Sequence, residues 1–283
     1  LIIPYTKITA AGFASIAKIK SLEVLLAAYN DGVTDDAIAK LSGLPLLHVV
    51  HGPDPVTGKN REAHGFFAFG GRARGVVVTN TPDVLSECTA DIAMTLMLMV
   101  ARRAGEGERE LRAGEWTGWR PTHMIGTKVS GATLGIIGFG RIGQAMAERA
   151  HFGFGMKVLV QNRSPVAPAL LAQFDATQLP SVEDLLPRCD FVSLHCPGGA
   201  ANRHLVNADR LALMRPDAFL INTARGPMVS YPDLYDALAS GHLRGAMLET
   251  FWTEPPEPDA PILRHPNVTL TPHIAGASLT TVR

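Results

Sequence analysis

One stretch of this chain leaves few folds open: Gly138-Phe139-Gly140-Arg141-Ile142-Gly143, set between an apolar run from Thr133 and a helix-type run through Ala150. A second apolar run, Met156 to Val160, follows and leads into Gln161-Asn162-Arg163-Ser164-Pro165. The order is strand, tight glycine turn, helix, strand. The glycines have separate jobs. Gly138 makes the turn, Gly140 lets backbone approach a pyrophosphate, and Gly143 lets the helix pack against the strand. The helix opening at Arg141 aims unpaired N–H groups at the phosphates. A glycine turn in some other α/β protein is the plain alternative, and the flanking elements argue against it.

The end of the second strand bears on the nucleotide. A fold of this kind that takes NAD places Asp or Glu about 20 residues on, where it holds the ribose 2′-OH. Here the position is held by Asn162, Arg163 and Ser164. A carboxylate would repel a 2′-phosphate, whereas guanidinium, amide and hydroxyl would bind one. The stretch argues for NADP(H), with NAD(H) held loosely as the alternative.

With 283 residues the chain has room for two domains, and a hydrophobic content of 46% against 18% charged fits an ordinary globular protein with a large core. Basic and acidic residues number 26 each, so no net charge favours nucleic acid or an anionic membrane. The longest strongly apolar run, Ile92 to Val100, is too short to cross a bilayer. Cys88, Cys189 and Cys196 are odd in number, lack a C-x-x-C spacing and sit in apolar runs. Buried thiols in a cytoplasmic protein, with no metal site, are the expectation. No leader is visible at the start, where Lys7, Lys18 and Lys20 interrupt the apolar residues, and the first residue is Leu1, as in a fragment or a processed form.

Along the first region, strands are expected at Val24 to Ala28, Leu46 to Val50 and Gly75 to Thr79, with a short helix from Thr34 to Leu41. His51 to Arg74 has no clean period and reads either as an irregular loop or as an active-site loop. Thr81-Pro82-Asp83 supplies an N-cap, a first-turn proline and a first-turn acid. The helix it opens, Val84 to Arg103, is apolar nearly all round, as a buried helix is, either in a dimer interface or in the core. Trp116 and Trp119 in the connector are expected to be packing residues. Further strands are expected at Phe191 to Cys196, Phe219 to Ala224, Ala246 to Glu249 and Val268 to Thr271. Near-continuous apolar strands alternating with helices mean a parallel sheet covered on both faces, with the ligand beyond the carboxyl ends of the strands.

Polar groups gather at those ends: His195-Cys196-Pro197, Arg225, Glu254 and His273. Beside a nicotinamide they suit carbonyl reduction. Arg225 would grip a substrate carboxylate with two prongs and polarise the adjacent C=O. His273 would give a proton to the carbonyl oxygen, and Glu254 would orient the imidazole and stabilise its charged form. Taken singly, each has a blander reading: a surface ion pair, a structural histidine, a loop acid beside prolines.

The chain resembles the D-isomer-specific 2-hydroxyacid dehydrogenases, in particular the glyoxylate/hydroxypyruvate reductase branch. The resemblance is carried by Val77 to Val84, Leu134 to Gly143, Asp190 to Pro197, Ile221 to Gly226, Trp252 to Pro255 and Leu270 to Ile274. It implies an α/β fold: a Rossmann-type doubly wound parallel sheet with a second, smaller flavodoxin-like α/β substrate domain. Residues 81–275 would form the dinucleotide-binding domain and 1–80 the substrate-binding domain, with 276–283 beginning a C-terminal return. It also implies a homodimer through the helix after Thr81, and a small 2-keto or 2-hydroxy acid as substrate. The family pattern makes Arg225 the substrate anchor, Glu254 the acid partner and His273 the acid/base. It places the backbone of Arg141 and Ile142 on the pyrophosphate, Cys196 and Pro197 beside the adenosine half, and Thr223 and Ala224 near the nicotinamide. The run Asn162-Arg163-Ser164 looks like that of NADP-preferring members.

Three features depart from the pattern. Glu249 stands where the family usually has an Asp that contacts the nicotinamide carboxamide. The loop from His51 carries Pro53 and Pro55 where the family uses backbone N–H groups to bind the substrate carboxylate. The chain stops at Arg283, before the helix with which the family returns to the first domain. An NADPH-dependent reductase of glyoxylate, hydroxypyruvate or a similar acid is the expectation. A nucleotide-binding dimeric protein with little turnover is the alternative.

Overall fold

The computed structural model describes residues 84–279, together with the backbone of three short strands in the preceding region. The chain divides into two compact units, Leu1–Asp83 with Gly198–Ala200, and Val84–Pro197 with Ala201–Arg283. In the first unit, β1 (Val24–Leu26), β2 (His48–Val50) and β3 (Val77–Thr79) pair in parallel in that order. They fall within the three expected runs. The expected helix at Thr34 to Leu41, the segment His51 to Arg74, and the Thr81-Pro82-Asp83 cap lie outside the described residues.

The second unit begins with α1 (Ser86–Ala101) and α2 (Ala104–Ala113). After them come β4 (Thr133–Ile137), α3 (Arg141–Glu148) and β5 (Lys157–Gln161). Short α4 (Pro168–Ala172), β6 (Thr177–Gln178) and α5 (Val182–Leu185) follow. The last part holds β7 (Phe191–Leu194), α6 (Ala208–Leu213), β8 (Phe219–Asn222), α7 (Tyr231–Ala239), β9 (Gly245–Leu248) and β10 (Val268–Leu270). Seven strands form one parallel sheet in the order β10-β9-β8-β7-β4-β5-β6. The chain therefore works outward from β4 in one direction and then, from β7, in the other. That is the doubly wound, Rossmann-type order, and the reversal between β4 and β7 opens a crevice at the carboxyl ends of the strands.

Strand periodicity explains why both faces are covered. Leu134 and Ile136, Phe191, Phe219 and Ile221, and Met247 share one core with α1 and α3. Their alternating neighbours Ile137, Val192 and Leu194, Leu220, and Ala246 and Leu248 share the other with α5, α6 and α7. Phe191 and Phe219 are register partners on β7 and β8 and stack with centroids 5.0 Å apart. Each fully buried side chain of this size contributes about 1.5–3 kcal/mol by leaving water.

The long apolar helix differs in detail from expectation. It starts at Ser86 with Leu85 as its cap residue and ends at Ala101. Arg103 takes a left-handed conformation (φ 54°) and opens α2. The reason lies outside the helix. The Ala101 carbonyl accepts from Thr127 N–H at 2.6 Å, so a distant segment satisfies the helix end. Ala90, Ala93, Leu96 and Met97 of α1 are buried in this unit's own core. This matches the core alternative for the helix. Trp116 and Trp119, expected to pack, are 50% and 81% exposed within this chain, because the connector carrying them runs over the surface. None of the described helices is long and apolar enough to cross a membrane.

Candidate active site

The glycine turn sits at the reversal of strand order. Gly138 has φ 97°, and a Cβ there would lie 2.5 Å from Cys196 N and 2.7 Å from Cys196 Cα. Only glycine lets β4 leave the sheet this close to the end of β7. At Gly143 a Cβ would strike the Gly138 carbonyl, so the first turn of α3 packs directly on the glycine turn. Gly140 is different: a Cβ there would meet nothing within 4 Å. The open space lies over the amino end of α3, which has no side-chain cap. A helix start without a side-chain cap, beside a glycine with open space, is the geometry a pyrophosphate needs.

At the end of β5, Asn162 is a brace. Its Oδ1 accepts from Phe139 N–H at 3.2 Å, and its Nδ2 donates to the Ser164 carbonyl at 3.0 Å. Gln178 on β6 completes the hold: its Nε2 donates to Ser164 O at 3.2 Å, and its Oε1 accepts from Val166 N–H at 2.8 Å. Arg163 and Ser164 are exposed at the tip of this turn. Sequence reasoning missed Gln178, because nothing in a two-residue strand marks one glutamine as a loop anchor.

Beyond β7, His195 Nε2 lies 2.8 Å from Ser193 Oγ, while its Nδ1 is buried without a partner among the described residues. Burial pushes this imidazole down to about 4, so it is neutral at ordinary pH. Cys196, against the glycine turn, and Pro197 follow, both half-buried. Beyond β8, Asn222 shapes the next turn. Its Oδ1 accepts from Ala224 N–H at 3.1 Å, and its Nδ2 donates to the Arg225 carbonyl at 3.0 Å. This presents Arg225 at the sheet edge. Thr223 is buried, and its hydroxyl has no partner among the described residues. Gly226 is required next: a Cβ there would fall on the carbonyl of Phe251. The Arg225 turn and the segment carrying Glu254 are thereby pressed together, and stacking of Tyr231 on Trp252, 4.2 Å between centroids, holds the latter in place.

Glu254 and His273 meet. Glu254 Oε2 lies 2.7 Å from His273 Nδ1, and its Oε1 accepts from Phe251 N–H at 3.0 Å. Burial alone would push the Glu254 carboxyl up. The His273 hydrogen bond, the Phe251 N–H and the charges of His273 and Arg225 outweigh it and hold the carboxyl below the usual glutamate range. His273 itself has a left-handed backbone, φ 52°. Glu249 is fully buried at the end of β9. Its carboxylate accepts from the Thr271 hydroxyl and from Ala275 N–H. Among the described residues, no group of His, Cys, Asp and Glu is arranged to hold a metal ion.

The expected residues thus fall in two clusters along one sheet edge. Gly138, Gly140, Arg141, Ile142, Gly143, Cys196 and Pro197 surround the glycine cradle, with Asn162, Arg163 and Ser164 at the neighbouring strand end. Thr223, Ala224 and Arg225 lie at the end of β8, with Glu249, Glu254 and His273 on the loops after β9 and β10. Residues 94–275 match the family described as D-isomer specific 2-hydroxyacid dehydrogenase, NAD binding domain. The chain belongs to that family. A glyoxylate reductase of Korarchaeum cryptofilum is 45% identical over 206 residues, which cover 72% of this chain and 61% of that protein. Glyoxylate/hydroxypyruvate reductase B of Pectobacterium carotovorum is 42% identical over 205 residues, covering 72% of this chain and 63% of that one. The chain therefore spans less than two thirds of the length of those curated relatives. Among solved structures, an NADPH-dependent glyoxylate/hydroxypyruvate reductase of Sinorhizobium meliloti, in complex with NADP and malonate, superposes with a TM-score of 0.78 at 32% identity. The match covers 95% of this chain and 79% of that one. A protein of Thermus thermophilus gives 0.83 at 36% identity, over 98% and 82%.

Proposed function

We propose that this chain reduces a small 2-keto acid, glyoxylate, hydroxypyruvate or a similar compound, to the D-2-hydroxy acid, with NADP(H) preferred over NAD(H). The observation that carries the reading is the 2.7 Å contact of His273 Nδ1 with Glu254 Oε2 beside Arg225, on the edge that holds the glycine cradle. The names of the reductase relatives support the substrate class. The cradle fits a dinucleotide: Gly140 borders open space, α3 presents uncapped N–H groups, and the buried Thr223 hydroxyl lacks a partner among the described residues. Arg141, Ile142 and the three glycines would hold the pyrophosphate, Cys196 and Pro197 the adenosine half, and Thr223 and Ala224 the nicotinamide side; the Glu249 carboxylate, where the resemblance implies a nicotinamide contact, is instead turned to Thr271 and Ala275. Arg163 and Ser164, exposed beside the braced Asn162, would take the 2′-phosphate.

When bound, the dinucleotide supplies the hydride for the carbonyl carbon. Arg225 binds the substrate carboxylate bidentately and orients the adjacent carbonyl. With Nδ1 held by Glu254, the proton for the carbonyl oxygen sits on His273 Nε2. Glu254 stabilises the imidazolium before transfer, and neutral imidazole remains afterwards.

The first unit, 1–83, is assigned to the substrate side. The reading includes a homodimer through the helix after Thr81; α1 gives one face to this unit's own core, and Leu111, Trp116, Trp119 and Ile125 add exposed apolar side chains that a second copy can cover. Three free cysteines suit a cytoplasmic setting. The test is turnover of glyoxylate and hydroxypyruvate with NADPH and NADH, beside binding of each nucleotide, for the chain and for His273→Ala. Turnover that is lost in His273→Ala while NADPH still binds is expected. Tight NADPH binding with no turnover in the parent would replace this reading with a nucleotide-binding protein.

A further inference from the structure

His273 stands on a backbone that a side-chain-bearing residue seldom adopts, and such a conformation persists only where the surroundings over-determine it. Two things hold it here: a tight local turn, in which the Thr271 carbonyl accepts from His273 N–H at 3.0 Å, and one residue on the neighbouring strand end. The Glu249 carbonyl accepts from the same His273 N–H at 3.1 Å. Its carboxylate accepts from the hydroxyl of Thr271, two residues before His273, and from the N–H of Ala275, two residues after. Its own N–H donates at 3.0 Å to the carbonyl of Asn222, whose side chain shapes the Arg225 turn. Glu249 is 0% exposed, so water does not compete for any of these bonds.

We propose that Glu249 is a positioning residue for His273: its carboxylate clamps the loop on both sides of the imidazole and fixes the ring relative to Glu254 and the Arg225 turn. This rests on the reading of His273 as proton donor. It gives a physical reason for glutamate here. Both oxygens reach across to the exit of β10, one to Thr271 and one to Ala275. An aspartate, one methylene shorter, could not span to both from the same backbone position. A clamp also differs from a contact with the nicotinamide carboxamide, which would act on cofactor affinity.

The experiment compares Glu249→Asp and Glu249→Gln with the parent. Readouts are kcat, the KM values of keto acid and NADPH, the pH profile of kcat/KM, NADPH affinity by fluorescence, and the ring resonances of His273 by NMR, assigned by their loss in His273→Gln. Glu249→Asp should lower kcat by roughly 10- to 100-fold, the order expected when a reacting group moves by about 1 Å. NADPH affinity should be unchanged, and both the ring resonances and the acid–base limb of the profile should move. Glu249→Gln keeps the length and an oxygen for Ala275 N–H, and its amide can donate to a Thr271 hydroxyl turned acceptor. It should therefore retain more of kcat than the shorter aspartate. If Glu249→Asp does not fold, Thr271→Val removes one arm of the clamp and carries the same readouts. Parental kcat and parental ring resonances in Glu249→Asp would overturn the proposal. So would a loss confined to NADPH affinity. A parent chain without turnover refutes the proposed activity instead, and the ring resonances still decide the clamp.

Discussion

Glu254→Gln removes the carboxylate charge from the Glu254–His273 pair, proposed as the proton donor, and little else. Glutamine keeps the length, and its carbonyl oxygen can still accept from Phe251 N–H. Its amide nitrogen then faces His273 Nδ1 as a donor, which suits a neutral imidazole and opposes an imidazolium. The pair is neither surface nor core: the side chains are 19% (His273) and 31% (Glu254) exposed. Exposed ion pairs contribute about 0.2–1 kcal/mol, and breaking a buried pair costs about 3–5 kcal/mol. This one belongs between, at about 1–2 kcal/mol, which is roughly 5- to 30-fold in rate. Keto-acid reduction in neutral buffer should fall by that factor, and the deficit should shrink as the buffer is made acid, because the parent's Glu254 carboxylate is then itself protonated and loses the charge that the variant lacks. NADPH binding should be unchanged. Stability carries a second signature. The Glu254 carboxyl is held below its ordinary range in the folded chain, so its stabilisation is present above that range and is lost as pH falls through the lowered value. Thermal melts should show the parent ahead of the variant above about pH 5, with the gap closing in more acid buffer. A rate deficit that is the same at every pH would refute the electrostatic role of Glu254. So would a variant as fast as the parent in neutral buffer.

Arg163→Ala should weaken NADPH by about 10- to 100-fold, the loss of one charge-assisted contact, while NADH changes little; equal weakening in paired titrations would remove the 2′-phosphate role. Gly226→Ala places a methyl on the Phe251 carbonyl and should destabilise the fold by about 1–3 kcal/mol or more in denaturant titrations, with loss of turnover beyond the loss of folded chain. Burial pushes the Cys189 and Cys196 thiols up to about 12. Neither should react with a maleimide in the native chain at neutral pH, and both should react after unfolding; prompt native labelling of Cys189, read by mass spectrometry of peptides, would contradict its burial.

Strands of the nucleotide unit are legible because a sheet covered on both faces writes itself as unbroken apolar runs bounded by turn residues. The glycines at 138, 140 and 143 are legible because each answers a separate steric demand, and the surroundings differ at each: the end of β7, open space, and the glycine turn itself. Arg225, Glu254 and His273 can be picked out as polar residues at strand ends, but their meeting depends on Gly226 and on the Tyr231–Trp252 stack, which no local pattern announces. Asn222 and Gln178 go unseen because each works by hydrogen-bonding backbone far away or around a corner. The break between α1 and α2 is hidden for a similar reason, since its carbonyl partner is Thr127. The tryptophans mislead because aromatic character alone does not say which surface covers them.

The turn after β5 separates two tasks that many sites entangle. Its shape is kept by Asn162 and Gln178, which bind main chain, while the side chains of Arg163 and Ser164 stand in solvent at its tip and hold nothing up. Substitutions at the tip can therefore accumulate without unfolding the chain, and if the proposed 2′-phosphate role holds, cofactor choice is a trait that selection can alter in a single step, independently of the scaffold beneath it.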